Sequence, residues 1–287
     1  MWYVGVDNMT GKQAVISVGA VGGLESFAGQ AAETVRGLYP NLGKPTYFAN
    51  GEKLFAALAD GTVDAIVGAS ANVGGYTILD RMLGAPRSAL YVIAECQLPF
   101  ECALLGRRGA RLTDIRMVQG GPASLAQARS FLSKNLPGIE IATYSEPITA
   151  GQTVAQGDGT LAIVGTLVLA ERYGLDVLAA NIDNGAINGN WWAVSSRQVF
   201  DPTPDRLFVT GRLRRGGELA RALVALGAAG YSLDTVSTMA TGGELFEFDY
   251  VMRFFGQGAL ANAQAAVASV AALRFAGAIR TPVQVAK

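Results

Sequence analysis

The strongest constraint on this chain is a recurring unit: a short apolar run, a loop of small residues, then a stretch with helical spacing. Residues 14–18 run into Gly19-Ala20-Val21-Gly22-Gly23 and then into a helical pattern over 24–38. A strand at 46–49, a helix at 52–60 and a buried strand at 63–67 continue the alternation, and the last opens into Gly68-Ala69-Ser70-Ala71-Asn72-Val73-Gly74-Gly75. Strand, small-residue turn and helix together can hold an anion, because the amides at a helix start lack intrahelical acceptors. Open α/β sheets bind ligands beyond the carboxyl ends of their strands, so two such loops on neighbouring strands mark a candidate site. The first loop lacks the Gly-x-Gly-x-x-Gly spacing of a dinucleotide fold, and a plain tight turn fits it equally well.

Residues 90–105 form one long extended crossing, bent or edge-like at Pro99. Beyond it, strands at 116–118, 139–144, 161–164 and 175–180 alternate with helices at 122–134, 149–155 and 167–173. Pro122 suits a first helical turn and Thr149 a helix cap. This alternation predicts an α/β fold with largely parallel sheets. Pro202 and Pro204 mark a linker over 197–205. After it come strand 207–213, helix 218–229, strands 233–239 and 245–254, helix 261–273 and strand 275–280, a βαββαβ order of ferredoxin-like type.

Composition narrows the chemistry. The 287 residues include no histidine, so Ser-His-Asp and Cys-His nucleophiles, His-ligated metals and an imidazole base are excluded. Acid-base work falls to Asp, Glu, Tyr, Cys, Lys, hydroxyls or water. Lys plus Arg and Asp plus Glu balance at 23 each, leaving no global field for nucleic acid or an anionic bilayer. Cys96 and Cys102 form neither a disulfide framework nor a zinc spacing. The opening Met-Trp-Tyr-Val-Gly-Val-Asp lacks the parts of a secretory signal, and a cytoplasmic location is expected, with no metal, cofactor, nucleic-acid or membrane partner.

Several motifs then resemble the prephenate dehydratase family. Its Gly-Pro-x-Gly-Thr-(Phe/Tyr) loop appears as Gly19-Ala20-Val21-Gly22-Gly23-Leu24, and its Pro-Ile-Glu-Asn-Ser-x-x-Gly loop as Gly68 to Gly75, followed by Thr77-Ile78-Leu79-Asp80. Leu-Pro-Ile-x-His-x-Leu-Leu is matched by Leu98-Pro99-Phe100-Glu101-Cys102-Ala103-Leu104-Leu105, with Cys102 in place of His. Pro122, Leu125 and Gln127 match a helix start, and Ile148-Thr149-Ala150 stands for Ser-Thr-Ala. Tyr173-Gly174-Leu175 through Ile182-Asp183 matches closely, and Asn188 sits at the start of the family's Asn-x-Thr-Arg-Phe. There Thr-Arg-Phe is replaced by Asn190-Trp191-Trp192. The tail resembles an ACT domain, with Gly217-Glu218-Leu219 in its Gly-Ala-Leu loop and Ser237-Thr238-Met239-Ala240 in place of its effector motif.

The resemblance implies a two-lobed module of the periplasmic-binding type over 1–200, with lobe 1 near 1–95 and 178–200 and lobe 2 near 96–177, then an α+β ACT-like unit over 203–287. It implies a carboxylate substrate such as prephenate, seated by Gly22, Gly23, Ser70, Asn72, Gly74, Gly75, Thr149, Ala150, Asn188 and Trp191. Arg107 or Arg108 is a further cation or a surface turn. Catalytic candidates are Glu101, Tyr76, Cys102 and Asn190; a buried Glu101 would keep its proton near neutrality. In the dehydratases the Thr assists hydroxyl departure and the Arg binds a substrate carboxylate, so their loss points to decarboxylation without aromatisation. The family's prephenate decarboxylases also lack Thr-Arg-Phe and carry a Trp near this point. A binding or regulatory protein without turnover, and an ordinary dehydratase with a substituted acid, are the alternatives. A homodimer or homotetramer through the ACT-like unit is the assembly the resemblance implies.

Overall fold

The computed structural model describes residues 15–70, 77–99, 101–144, 146–184, 188–214, 216–245 and 247–281. The first lobe contains β1 (Ile16–Val21), α1 (Phe27–Leu38), β2 (Leu42–Phe48), α2 (Gly51–Ala59), β3 (Ala65–Ala69), α3 (Ile78–Gly84) and β4 (Tyr91–Pro99). The chain then crosses into β5 (Ala103–Gly106), β6 (Met117–Gly120), α4 (Pro122–Asn135), β7 (Glu140–Thr143), α5 (Pro147–Gln156), β8 (Leu161–Gly165), α6 (Leu167–Tyr173) and β9 (Asp176–Ala179). It returns to the first lobe as β10 (Asn188–Ser195). The rest forms β11 (Arg206–Leu213), α7 (Gly216–Ala228), β12 (Tyr231–Ala240), β13 (Phe248–Gly256), α8 (Leu260–Ala268) and β14 (Leu273–Ile279), the βαββαβ order read from the sequence.

Two sheets organise these elements into a two-lobed α/β arrangement followed by the βαββαβ unit. The smaller runs β7-β6-β8-β5-β9, and the larger runs β12-β13-β11-β14-β4-β10-β3-β1-β2. The helix-linked strands β2, β1 and β3 are parallel, as are β7, β6 and β8. The strands that carry the chain between lobes are antiparallel to their neighbours: β10 against β3 and β4, and β5 against β8 and β9. The sheets are therefore mixed, not largely parallel. The extended run over 90–105 is two strands in two sheets, broken where the chain crosses between lobes. At the crossing the Ile182 amide donates to the Cys102 carbonyl at 2.9 Å, tying the outgoing and returning segments together.

β10 was not foreseen as a strand, yet it lies inside the larger sheet with partners on both edges. Alternation along it sends successive side chains to opposite faces. Trp191 joins the core cluster of Ala20, Ala31 and Cys96 on the α1 side. Trp192 faces the other way and meets Phe208 of β11 edge to face, with ring centroids 5.1 Å apart. The α1-side cluster continues through the crossing to Leu104, Val118 and Leu132 in the second lobe. Each fully buried Leu or Phe side chain contributes about 1.5–3 kcal/mol relative to exposure.

The C-terminal unit extends the first lobe's sheet: β14 lies parallel to β4 with Gly277 opposite Val92. A β-carbon at Gly277 would stand 2.6 Å from the Val92 carbonyl oxygen, so glycine permits the approach. The segment expected as a linker is bonded in place, with Asp201 N donating to Ala278 O at 2.8 Å and Asp205 N to Ile279 O at 3.1 Å. Charge also crosses this seam. The Glu95 carboxylate of β4 approaches Arg206 at 3.6 Å and Arg253 at 3.3 Å, and Arg253 reaches Asp234 at 2.6 Å. Burial pushes the Glu95 pKa above the ordinary carboxyl value despite both guanidinium groups.

Helix 261–273 of the sequence reading ends at Ala268, because Leu273 is drawn into the ladder opposite Gly211. The start of α5 also moves, to Pro147, which brings Glu146 rather than Thr149 to the N-cap.

Candidate functional site

The carboxyl ends of β1 and β2 and the start of α5 enclose a cleft of about 330 Å³ between the lobes. Val21, Gly22, Ser26 and Tyr47 line one side, with Glu146 and Ile148 on the other. A larger groove of about 500 Å³ lies on the outer face of the second lobe, between α4 and β7, away from the first-lobe strand ends. Open α/β sheets place ligands beyond their strand ends, so the interlobe cleft is the candidate site.

The β1 loop is tightly built. Gly22 turns the chain at φ +77°, and its amide donates to the Phe48 carbonyl at 2.8 Å. Ser26 caps α1: its hydroxyl accepts from the Gly29 amide at 3.0 Å and lies 2.8 Å from the Gly23 carbonyl and 2.9 Å from that of Val21. Such a cap stabilises its helix by about 1 kcal/mol. The Gly22 amide proposed from sequence as an anion donor is thus already used inside the β1–β2 pairing. Gly23 has a different constraint: a β-carbon there would lie 2.2 Å from the Glu25 carboxylate.

Ser70 closes the second loop onto β10. Its amide donates to the Asn190 carbonyl at 2.9 Å and its hydroxyl to the same oxygen at 3.0 Å. Ser70 is therefore a stitch between β3 and β10, with both of its donors engaged by backbone. Asn190 is half-buried opposite Gln97, and Asn188 opens β10 opposite Pro99. Asn72, Gly74, Gly75 and Tyr76 lie outside the described residues.

In the second lobe, the Ala150 amide donates to the Glu146 carbonyl at 3.1 Å, the first intrahelical bond of α5. It is no anion seat. Since Pro147 has no N–H, the first-turn amides left without an intrahelical acceptor are those of Ile148 and Thr149. Thr149 is exposed, and its carbonyl accepts from the Thr153 hydroxyl at 2.9 Å.

The candidate proton donors separate by burial. Glu101 is exposed, not buried as the sequence reading supposed. Cys102 is 1% exposed, and its pKa is pushed up to about 12, first by burial, then by the Asp183 charge, against a hydrogen bond with Ser124. Trp191 and Trp192 are each 5% exposed, so the Trp191 side chain belongs to the core rather than to a cleft wall. Arg107 and Arg108 are exposed in the turn after β5, at the end away from the crossing, where Asp176 accepts from the Gly109 amide at 2.8 Å.

Sequence reasoning passed over two residues. Tyr47, at the end of β2, lines the cleft, and its phenol pKa is raised first by burial and then by Glu33. Glu25 is a buried acid 2% exposed; its carboxylate pairs with Arg172 of α6, and its carbonyl accepts from the Thr166 hydroxyl at 2.8 Å. A charged residue between a glycine turn and a capping serine was the available signal.

The profile of the family described as prephenate dehydratase matches residues 18–198. The chain belongs to the prephenate dehydratase family. It is 32% identical over 174 residues to a prephenate dehydratase of Mycolicibacterium gilvum, a match covering 58% of this chain and 55% of that protein. The chain thus spans about half the length of that relative. A bifunctional N-acyl-homoserine lactone acylase/prephenate dehydratase of Komagataeibacter europaeus is 25% identical over 203 residues, covering 69% of this chain and 72% of that protein. Among solved structures, prephenate dehydratase of Arthrobacter aurescens in complex with L-Phe superposes with a TM-score of 0.77 at 20% identity, covering 92% and 90% of the two chains. That likeness establishes the fold. Among the described residues no helix is long and apolar enough to cross a membrane.

Proposed function

We propose that this family member is a lyase that binds a prephenate-like carboxylate in the interlobe cleft and removes CO2 without expelling the ring hydroxyl. The observation that carries the reading is the fate of the segment where the family has Thr-Arg-Phe. Here Trp191 packs toward α1 and Trp192 toward Phe208, so that position supplies neither a hydroxyl nor a guanidinium. Hydroxyl departure needs a proton delivered to oxygen as the bond breaks. Without it, the electron pair released by breaking the bond to CO2 is taken up by the ring diene and quenched by a proton at carbon, and the hydroxyl stays. Tyr47 is suited to give that proton: it lines the cleft, a phenol is protonated near neutrality, and its partial exposure lets solvent return the proton afterwards.

In this reading the substrate carboxylates meet the first-turn amides of α5 and the β1 loop, aided by the positive end of the helix dipole. The βαββαβ unit serves as an ACT-like regulatory domain, with its boundary near residue 203, and assembles the protein as a dimer or tetramer. A second reading, binding without turnover, is favoured by the placement of Glu101 and Cys102, neither of which lines the cleft.

Incubation with prephenate decides between them. The expected outcome is CO2 equal to the substrate consumed, a dihydro product by proton NMR and no ultraviolet signal of phenylpyruvate. Appearance of phenylpyruvate would restore ordinary dehydratase chemistry. A saturable thermal shift with neither product would establish a binder.

A further inference from the structure

Glu25 is buried at the junction of the lobes, yet only one of its carboxylate oxygens is paired. Oε1 meets the Arg172 guanidinium, while Oε2 has no hydrogen-bond partner. Arg172 projects from α6 of the second lobe with its side chain 56% exposed, and its guanidinium lies 5.9 Å from the Tyr173 ring centroid. A second bond joins the same two elements: the Thr166 hydroxyl, which also caps α6, donates to the Glu25 carbonyl at 2.8 Å. Residue 25 thus contacts α6 at both ends, its backbone at the N-cap Thr166 and its side chain at Arg172 in the last turn.

The carboxylate also fills a particular place. Its Oε2 lies 2.2 Å from the position of a β-carbon on Gly23, so the acid occupies the space a side chain at residue 23 would take in the β1 loop. The protein's own carboxylate therefore stands beside the loop of the candidate ligand cleft.

We propose that Glu25 and Arg172 form an interlobe latch, in which an internal carboxylate holds the two lobes together and must give way before an anionic ligand settles against the β1 loop. Two features make the latch releasable. The unpaired oxygen regains water when the lobes part, which lowers the cost of opening. The arginine is already half solvated, so it moves without desolvating a new charge. A ligand carboxylate at the same loop would meet like charge from Glu25, and its binding is opposed until the pair breaks. The ligand half of this proposal rests on the cleft reading above; the closure half stands without it.

Closure is read without any ligand by pulsed electron spin resonance between labels at Lys53→Cys on α2 and Lys134→Cys on α4, both exposed, while Cys96 and Cys102 are buried. With Glu25 and Arg172 intact, one short interlobe distance is expected. Glu25→Gln and Arg172→Met should each add a longer population, and the double variant should open no further than either alone, because both remove one interaction. Unchanged distances in both single variants would overturn the latch. In calorimetry, prephenate should bind Glu25→Gln several-fold more tightly than the parent; equal or weaker binding would remove Glu25 from the ligand's path. If neither protein binds prephenate, the cleft reading fails while the distance measurement still decides the latch.

Discussion

Replacing Trp192 tests whether β10 is the structural seam between the first lobe and the C-terminal unit. The indole is 5% exposed, sits edge to face with Phe208 at 5.1 Å, and its Nε1–H is buried without an acceptor. Trp192→Ala removes the whole ring and leaves a cavity, a change costing about 3–5 kcal/mol. Of that, the aromatic pair with Phe208 accounts for about 0.5–1.5 kcal/mol. Trp192→Phe behaves differently. It loses part of the apolar area, on the order of 1–2 kcal/mol with the small cavity included. It also removes an unsatisfied donor whose burial costs about 1–3 kcal/mol. The two effects nearly cancel, and Trp192→Phe should fall within about 1 kcal/mol of the parent protein. Urea unfolding at a common slope measures both variants. If Trp192→Phe costs as much as Trp192→Ala, the indole N–H is satisfied and the reasoning is wrong.

Two further outcomes follow from buried ionisable groups. Cys96 and Cys102, each with a pKa pushed up to about 12, hold over a thousandfold less thiolate at pH 8 than a free cysteine, so Ellman's reagent should react only as the protein unfolds; fast labelling of the native protein would contradict their burial. Because Glu95 has its folded pKa raised by burial, its contribution to stability is present below the unfolded carboxyl pKa of about 4.3 and is lost as pH rises through the folded value. Glu95→Gln should therefore flatten the decline in stability that sets in above about pH 4, seen as melting temperatures at matched ionic strength; an unchanged pH slope would mean that the two arginines outweigh desolvation.

The sequence by itself determined the alternation of the helix-linked strands and the positions of their glycine-rich loops. Gly22 at the end of β1, Ser70 at the end of β3, Pro122 at the start of α4 and the βαββαβ tail are all written in local chemistry: backbone freedom, a missing amide and periodic burial. The family resemblance also rested on these local patterns. Tertiary structure alone decided which groups remain available. Whether an amide faces a ligand or another strand depends on the neighbour that folding brings up, as with Gly22 donating to Phe48 and Ala150 to Glu146. Strand β10 was hidden because Asn190-Trp191-Trp192 becomes a ladder only between β3 and β4, which are distant in sequence. Glu25 was hidden for the same reason: its partner Arg172 lies 147 positions away, and a surface acid is distinguished from a buried one only by what packs over it.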